Sequence, residues 1–226
     1  MTTILENVQA VRARIAGAAQ AARRDPAGVT LLAVSKTHPV ARIEEAQAAG
    51  QKAFGENYVQ DAVPKMAALP QLEWHLIGAL QSNKTRIAAE RFDWVQTVDR
   101  EKIARRLSDQ RPAHRPSLNM LIQVNISGEA SKGGVLPEEA AALAKAVAAL
   151  PRVRLRGLMA VPRPEGDTAA QFSEMQALYE RLKGQFGFDT LSMGMSEDLE
   201  AAIAHGATMV RIGTAIFGRR KTEPPA

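Results

Sequence analysis

Val29-Thr30-Leu31-Leu32-Ala33-Val34-Ser35-Lys36-Thr37-His38 is the stretch on which the fold turns. Its apolar, partly β-branched run has the length and composition of a strand buried on both faces. An open, doubly wound sheet would follow such a strand with a glycine-rich turn, whereas this turn reads Ser35-Lys36-Thr37-His38. A closed barrel of alternating strands and helices is the remaining closure. A second apolar run, Met209-Val210-Arg211-Ile212-Gly213-Thr214, lies far down the chain. Closing the barrel makes the first and last strands neighbours. The Lys36 amine then sits beside a guanidinium, a glycine and a hydroxyl.

Between these two runs, strand and helix patterns alternate. Residues 3–23 carry Ile4, Leu5, Val8, Val11 and Ile15 at helical spacing, and Asp25-Pro26 stops that helix. Strands are expected at 29–35, 52–54, 73–77, 92–97, 118–126, 153–161, 188–193 and 207–212. Helices are expected near 39–49, 57–68, 82–90, 100–110, 137–150, 167–185 and 196–205, with Asp99 and Ser196 as caps. The sum is a single (β/α)8 TIM barrel over residues 1–226, with an extra N-terminal helix in 1–24 and a frayed tail at 219–226.

Composition narrows the function. The chain has 226 residues, 46% hydrophobic and 23% charged, a size that a one-domain βα barrel often has. With no cysteine, disulfides, thiolate nucleophiles and cysteine-ligated metals are excluded. The four histidines, at 38, 75, 114 and 205, form no metal-ligand spacing, and no Walker A or GxGxxG sequence is present. The charge of +5, from 29 Lys+Arg against 24 Asp+Glu, suits a small phosphate ligand as well as nucleic acid. Met1-Thr2-Thr3-Ile4-Leu5-Glu6-Asn7-Val8 has no apolar signal core, and no stretch is long and apolar enough to cross a membrane. The expectation is a cytoplasmic protein that does not bind membranes.

In a βα barrel the site forms at the C-terminal strand ends. The candidates there are Lys36, Glu56-Asn57-Tyr58, His75, Gly78, Asn125, Met159, Ser192 to Ser196 and Arg211 to Thr214. An amine that can capture an aldehyde, beside helix-start N–H groups and hydroxyls that can wrap a phosphate, fits pyridoxal 5'-phosphate (PLP), with Lys36 as the Schiff-base lysine. Lys84 and Lys132 are rival lysines in polar loops. Arg211 reads either as an ion-pair partner of Glu56 or another carboxylate, or as a donor to the pyridine nitrogen. Ser196 and Gly213 read as phosphate ligands or simply as a cap and a turn, and His75 as a core histidine or a base. Arg12, Arg14, Arg23 and Arg24 are either a nucleic-acid surface or a solvated helix face.

Leu32-Ala33-Val34-Ser35-Lys36, Phe54-Gly55-Glu56-Asn57-Tyr58, His75-Leu76-Ile77-Gly78, Gln81-Ser82-Asn83-Lys84, Val124-Asn125-Ile126, Gly157-Leu158-Met159, Ser192-Met193-Gly194-Met195-Ser196 and Arg211-Ile212-Gly213-Thr214-Ala215-Ile216-Phe217-Gly218 together resemble the pyridoxal-phosphate homeostasis protein family. The likeness runs from about residue 5 to about residue 220 and has no departure at these motifs. It implies a barrel similar to the N-terminal domain of fold-type III PLP enzymes such as alanine racemase, with PLP on Lys36. It further implies Arg211 at the pyridine nitrogen, Ser196, Gly213 and Thr214 on the phosphate, and Asn57 and Met159 along the ring. The family is associated with balancing PLP and amino-acid pools, without clear turnover. PLP and PLP-dependent apo-enzymes are the expected partners, nucleic acid is not, and a monomer is expected. The alternative is a slow amino-acid racemase using Tyr58 or His75 as second base. Racemases of this type take an opposing tyrosine from an added β domain, whereas the tyrosines here are Tyr58 and Tyr179.

Overall fold

The structure, a computed structural model, describes residues 2–129, 133–163 and 167–218. Eight parallel strands close in sequence order, β1 pairing with both β2 and β8. They are β1 (Thr30–Val34), β2 (Ala53–Glu56), β3 (Glu73–Leu76), β4 (Trp94–Val98), β5 (Leu118–Val124), β6 (Val153–Ala160), β7 (Thr190–Ser192) and β8 (Met209–Ile212). The helices are α1 (Ile4–Ala21), α2 (Val40–Ala48), α3 (Val59–Ala68), α4 (Thr85–Arg91), α5 (Glu101–Gln110), α6 (Ala140–Ala148), α7 (Thr168–Phe186), α8 (Leu199–Ala204) and the short α9 (Thr214–Phe217). This is the expected TIM barrel with an added N-terminal helix. The rival Lys132 and the tail beyond Gly218 lie outside the described residues.

Helix α1 begins with a capping box: Thr3 Oγ1 accepts from Glu6 N, and Glu6 Oε2 accepts from Thr3 N. Its Ile4, Val8, Val11, Ile15 and Ala19 are buried, while Leu5, at 49% exposure, belongs to the outer face. Each large apolar side chain so buried contributes about 1.5–3 kcal/mol. Three arginines on or just after α1 bond to the barrel. Arg12 donates to Gly50 O (2.8 Å), Arg24 to Ile203 O (2.6 Å), and Arg14 to both oxygens of Glu200 and to Ser196 O (3.1 Å). Arg12, Arg14 and Arg24 thus fasten α1 and the turn after it to the barrel, a role neither sequence reading assigned them. Arg23 is exposed.

Two expected caps are also corrected. Arg100, not Asp99, is the N-cap of α5, and Asp99 binds Arg100 instead. Asp198, not Ser196, is the N-cap residue of α8, and its carboxylate accepts from Met195 N (2.6 Å).

Most apolar side chains form one shell between the sheet and the helices. Two small separate clusters remain, Leu32, Ala53 and Met209 in one and Trp94, Leu121 and Met159 in the other. Their strand positions alternate with those of the outer shell, which places them inside the barrel.

Candidate functional site at the barrel mouth

The β1–β8 register pairs Leu32 with Arg211 and Ala33 with Ile212, so the ends of the two strands emerge together. A cavity of about 180 Å³ opens there, lined by Val34, Lys36, Thr37, His38, Gly213, Thr214 and Gly218. The structure thus brings together Lys36, Gly213 and Thr214. Lys36 is half-buried and makes no hydrogen bond or ion pair with a described residue. The rival Lys84 lies in the turn after β3 and is not part of this wall.

Backbone donors are left open at the same place. Gly213 O accepts from Ile216 N and Phe217 N as α9 starts, while the N–H groups of Gly213 and Thr214 have no acceptor among the described residues. Ser196 is tied to this turn through its Oγ, which accepts from Ala215 N (3.3 Å), and its hydroxyl proton stays available. Gly213 packs on β1, where a Cβ would lie 3.4 Å from both Val34 Cβ and Val34 O. Helix α1 supports both turns: Arg14 holds Ser196 O, and Asn7 Nδ2 donates to Ile216 O (2.8 Å).

Arg211 is buried one step deeper on β8. Nη1 donates to Ser192 Oγ (2.8 Å) and Nη2 to Ala160 O (2.8 Å). Burial pushes its guanidinium down to about 10, against the field of Asp198. It forms no ion pair with Glu56, which corrects that sequence reading. Glu56 accepts instead from Lys65 Nζ (2.8 Å) and Ser35 Oγ (2.5 Å), and burial raises its pKa above the ordinary carboxylate range despite these bonds.

Met159 is buried against Trp94 and Leu121 and sits abreast of Ser192, next to the carbonyl that Arg211 binds. Asn57 follows β2, whose Gly55 is abreast of Val34, so it reaches the rim beside Lys36 without lining the cavity. A Cβ on Gly78 would fall 2.1 Å from Asn57 O, so only glycine lets that carbonyl approach. Asn125 is also near the rim, and its Nδ2 donates to Glu129 O (2.8 Å).

His75 is fully buried, with Nε2 2.7 Å from Glu73 Oε1 and Nδ1 2.9 Å from Gln96 Nε2, and burial lowers its pKa. A ring so enclosed is not a base at the mouth. Tyr179 is buried on α7, its hydroxyl pushed up to about 12 by burial, and Tyr58 is exposed at the N-cap of α3.

Sequence reading missed Thr37 and His38. Thr37 holds φ of 67°, a costly conformation for a β-branched residue. His38 stacks on Phe217 at 4.7 Å, joining the β1 loop to α9. It also missed Gln96, whose only signal was polarity at an inward strand position, whereas Ser192, at the end of the seventh strand, is among the sequence candidates.

Residues 7–221 match the alanine racemase N-terminal domain family. The pyridoxal phosphate homeostasis protein of Pseudomonas aeruginosa is 60% identical over 229 residues, covering 100% of both chains. That of Escherichia coli strain K12 is 55% identical, over 97% of this chain and 98% of its own. Among solved structures, PipY of Synechococcus elongatus with PLP bound superposes with a TM-score of 0.80 at 39% identity, covering 96% of this chain and 100% of that one. Alanine racemase of Clostridium difficile reaches a TM-score of 0.73 at 12% identity over 58% of its length, a likeness of fold alone. With a mouth built on Lys36, Arg211 and Gly213-Thr214 and relatives similar from end to end, the chain belongs to the pyridoxal phosphate homeostasis protein family.

Proposed function

We propose that this chain binds PLP at the barrel mouth and holds or hands on the cofactor without efficient amino-acid turnover. The observation that carries this reading is the meeting of Lys36, Gly213 and Thr214 at one cavity, with Arg211 in the strand beneath. The PLP-bound relative and the homeostasis proteins support it. The donors fit the ligand: open N–H groups and hydroxyls for a phosphate, and an unpaired amine for an aldehyde. PLP supplies that aldehyde and an electron-withdrawing ring.

With PLP bound, Lys36 Nζ would be the amine facing the aldehyde. Ser196, Gly213 and Thr214 hold the phosphate, while Asn57 and Met159 line the ring. Arg211 donates to the ring nitrogen. At neutral pH a guanidinium that titrates near 10 keeps its proton, so the nitrogen stays unprotonated and the ring withdraws electrons weakly. Among the described residues, the candidate second bases are not placed to serve: His75 is enclosed, Tyr179 is on the outer shell, Tyr58 is exposed at the start of α3 and does not line the cavity, and His38 comes from the lysine's own loop. The chain acts as one domain over 1–226, as a cytoplasmic monomer that serves PLP-dependent apo-enzymes. Among the described residues no helix is long and apolar enough to cross a membrane.

Borohydride reduction of the PLP-loaded protein followed by peptide mapping is expected to place the pyridoxyl mass on Lys36; a label on Lys84 or Lys132 overturns the site. Incubation with each L- and D-amino acid is expected to give turnover well below about 1 per second, the low end of ordinary enzyme rates. Faster turnover that Lys36→Ala abolishes makes the protein an enzyme instead.

A further inference from the structure

A chain of side chains runs through the barrel interior from the mouth towards the opposite face. Arg211 Nη1 donates to Ser192 Oγ (2.8 Å), and Ser192 Oγ donates to Gln96 Oε1 (2.7 Å). Gln96 Nε2 is 2.9 Å from His75 Nδ1, and His75 Nε2 is 2.7 Å from Glu73 Oε1. Ser192, Gln96 and His75 are each 0% exposed, whereas the Glu73 side chain is 48% exposed at the far end. Four strands, β8, β7, β4 and β3, contribute.

The direction of each proton follows from the two ends. A guanidinium only donates, so Ser192 Oγ accepts from Arg211 and gives its own proton to Gln96 Oε1. This turns the Gln96 amide nitrogen to His75, whose Nδ1 must accept. The imidazole proton is then on Nε2 and goes to the Glu73 carboxylate. With His75 neutral, reversing a single link sets two donors or two acceptors face to face.

Such a chain is a poor device for stability, because apolar groups of the same shape could replace it at little net cost. It also separates the two apolar clusters inside the barrel. What it fixes is the guanidinium. The bond to Ser192 and the bond to Ala160 O set the plane of the fork, and three of its five N–H groups remain for a ligand.

We propose that Ser192, Gln96 and His75 are positioning residues for Arg211, holding its guanidinium so that an unused N–H meets a ring-nitrogen acceptor at the mouth. The inference rests on the PLP reading above. Its test compares PLP with the 1-deaza analogue, in which CH replaces the ring nitrogen, by absorbance titration of wild type, Ser192→Ala and Gln96→Met. Thermal melting of each unliganded protein shows which variants are folded, and either folded variant is sufficient. Losing the orientation of one charged donor should weaken PLP binding roughly ten-fold, while the analogue binds each variant as it binds wild type. An equal loss for both ligands makes the chain merely structural and overturns the inference, as does unchanged PLP affinity or a wild type that does not distinguish the two ligands. A wild type that fails to bind PLP at all defeats the cofactor reading itself.

Discussion

The two ends of the barrel carry cavities of opposite character. At the N-terminal face a cavity of about 470 Å³ is lined by Glu73, Trp74, Arg91, Asp93, Arg115 and Asn119, among others. Asp93 is fully engaged there: Arg115 pairs with it at 2.9 Å, and its second oxygen accepts from Trp74 N. Nearby, buried Arg111 donates to Ala89 O, Phe92 O and Pro116 O. At the mouth the cavity is smaller, about 180 Å³, yet Lys36 and two backbone N–H groups have no partner among the described residues. Open backbone N–H groups beside an amine, rather than volume, mark the mouth as the place to bind a phosphate-bearing aldehyde.

The sharpest way to break this contrast is to remove one group from each end. Arg111→Ala should lower the unfolding free energy by about 3–5 kcal/mol, because three carbonyls lose a charged donor, two of them at buried bonds. The PLP affinity of the folded fraction should not change. Denaturant unfolding and a PLP titration check both halves. Thr214→Val should do the reverse, weakening PLP by roughly ten-fold through one lost hydrogen bond to a charged group, while unfolding shifts by less than about 0.5 kcal/mol. A Thr214→Val protein with unchanged affinity would put the phosphate elsewhere.

A smaller effect probes the join between the ends. Burial holds the pKa of His75 below 6.5, although the hydrogen bond to Glu73 and the fields of Glu73 and Asp93 oppose it. Trp94 stacks on the ring, and Arg156 lies over Trp94. As pH falls below 6.5 the unfolded chain takes up a proton at His75 and the folded chain does not, so stability drops with falling pH until the folded value is reached. The slope approaches about 1.4 kcal/mol per pH unit for this one group. Denaturant unfolding between about pH 7 and about pH 5.5 should therefore show a steeper loss in wild type than in His75→Gln. Equal slopes would mean that His75 takes up its proton in the folded protein too.

The sequence carried the barrel in its apolar runs, because a strand buried on both faces leaves little choice of residue. It carried the meeting of Lys36 with Gly213 and Thr214 as well, since closure alone makes β1 and β8 neighbours. Caps were less legible. Ser196 and Asp99 have capping chemistry, but the chain turns into its helices at Asp198 and Arg100 instead. Helix α9 was hidden because Thr214–Phe217 is too short to show a period. The Arg211–Ser192–Gln96–His75 chain was illegible for another reason: each member stands alone in its own strand, and only the closed interior sets them in line.

Helix α1 stands outside the eightfold alternation, yet it grips both turns of the mouth, Ser196 through Arg14 and Ile216 through Asn7. Free-energy coupling of this kind is reciprocal. A ligand that steadies the two turns also steadies the helix, and a helix that frays at its Thr3 cap loosens the turns by the same amount. The first secondary-structure element of the chain is thereby an adjustable clamp on a pocket whose lining residues it does not supply.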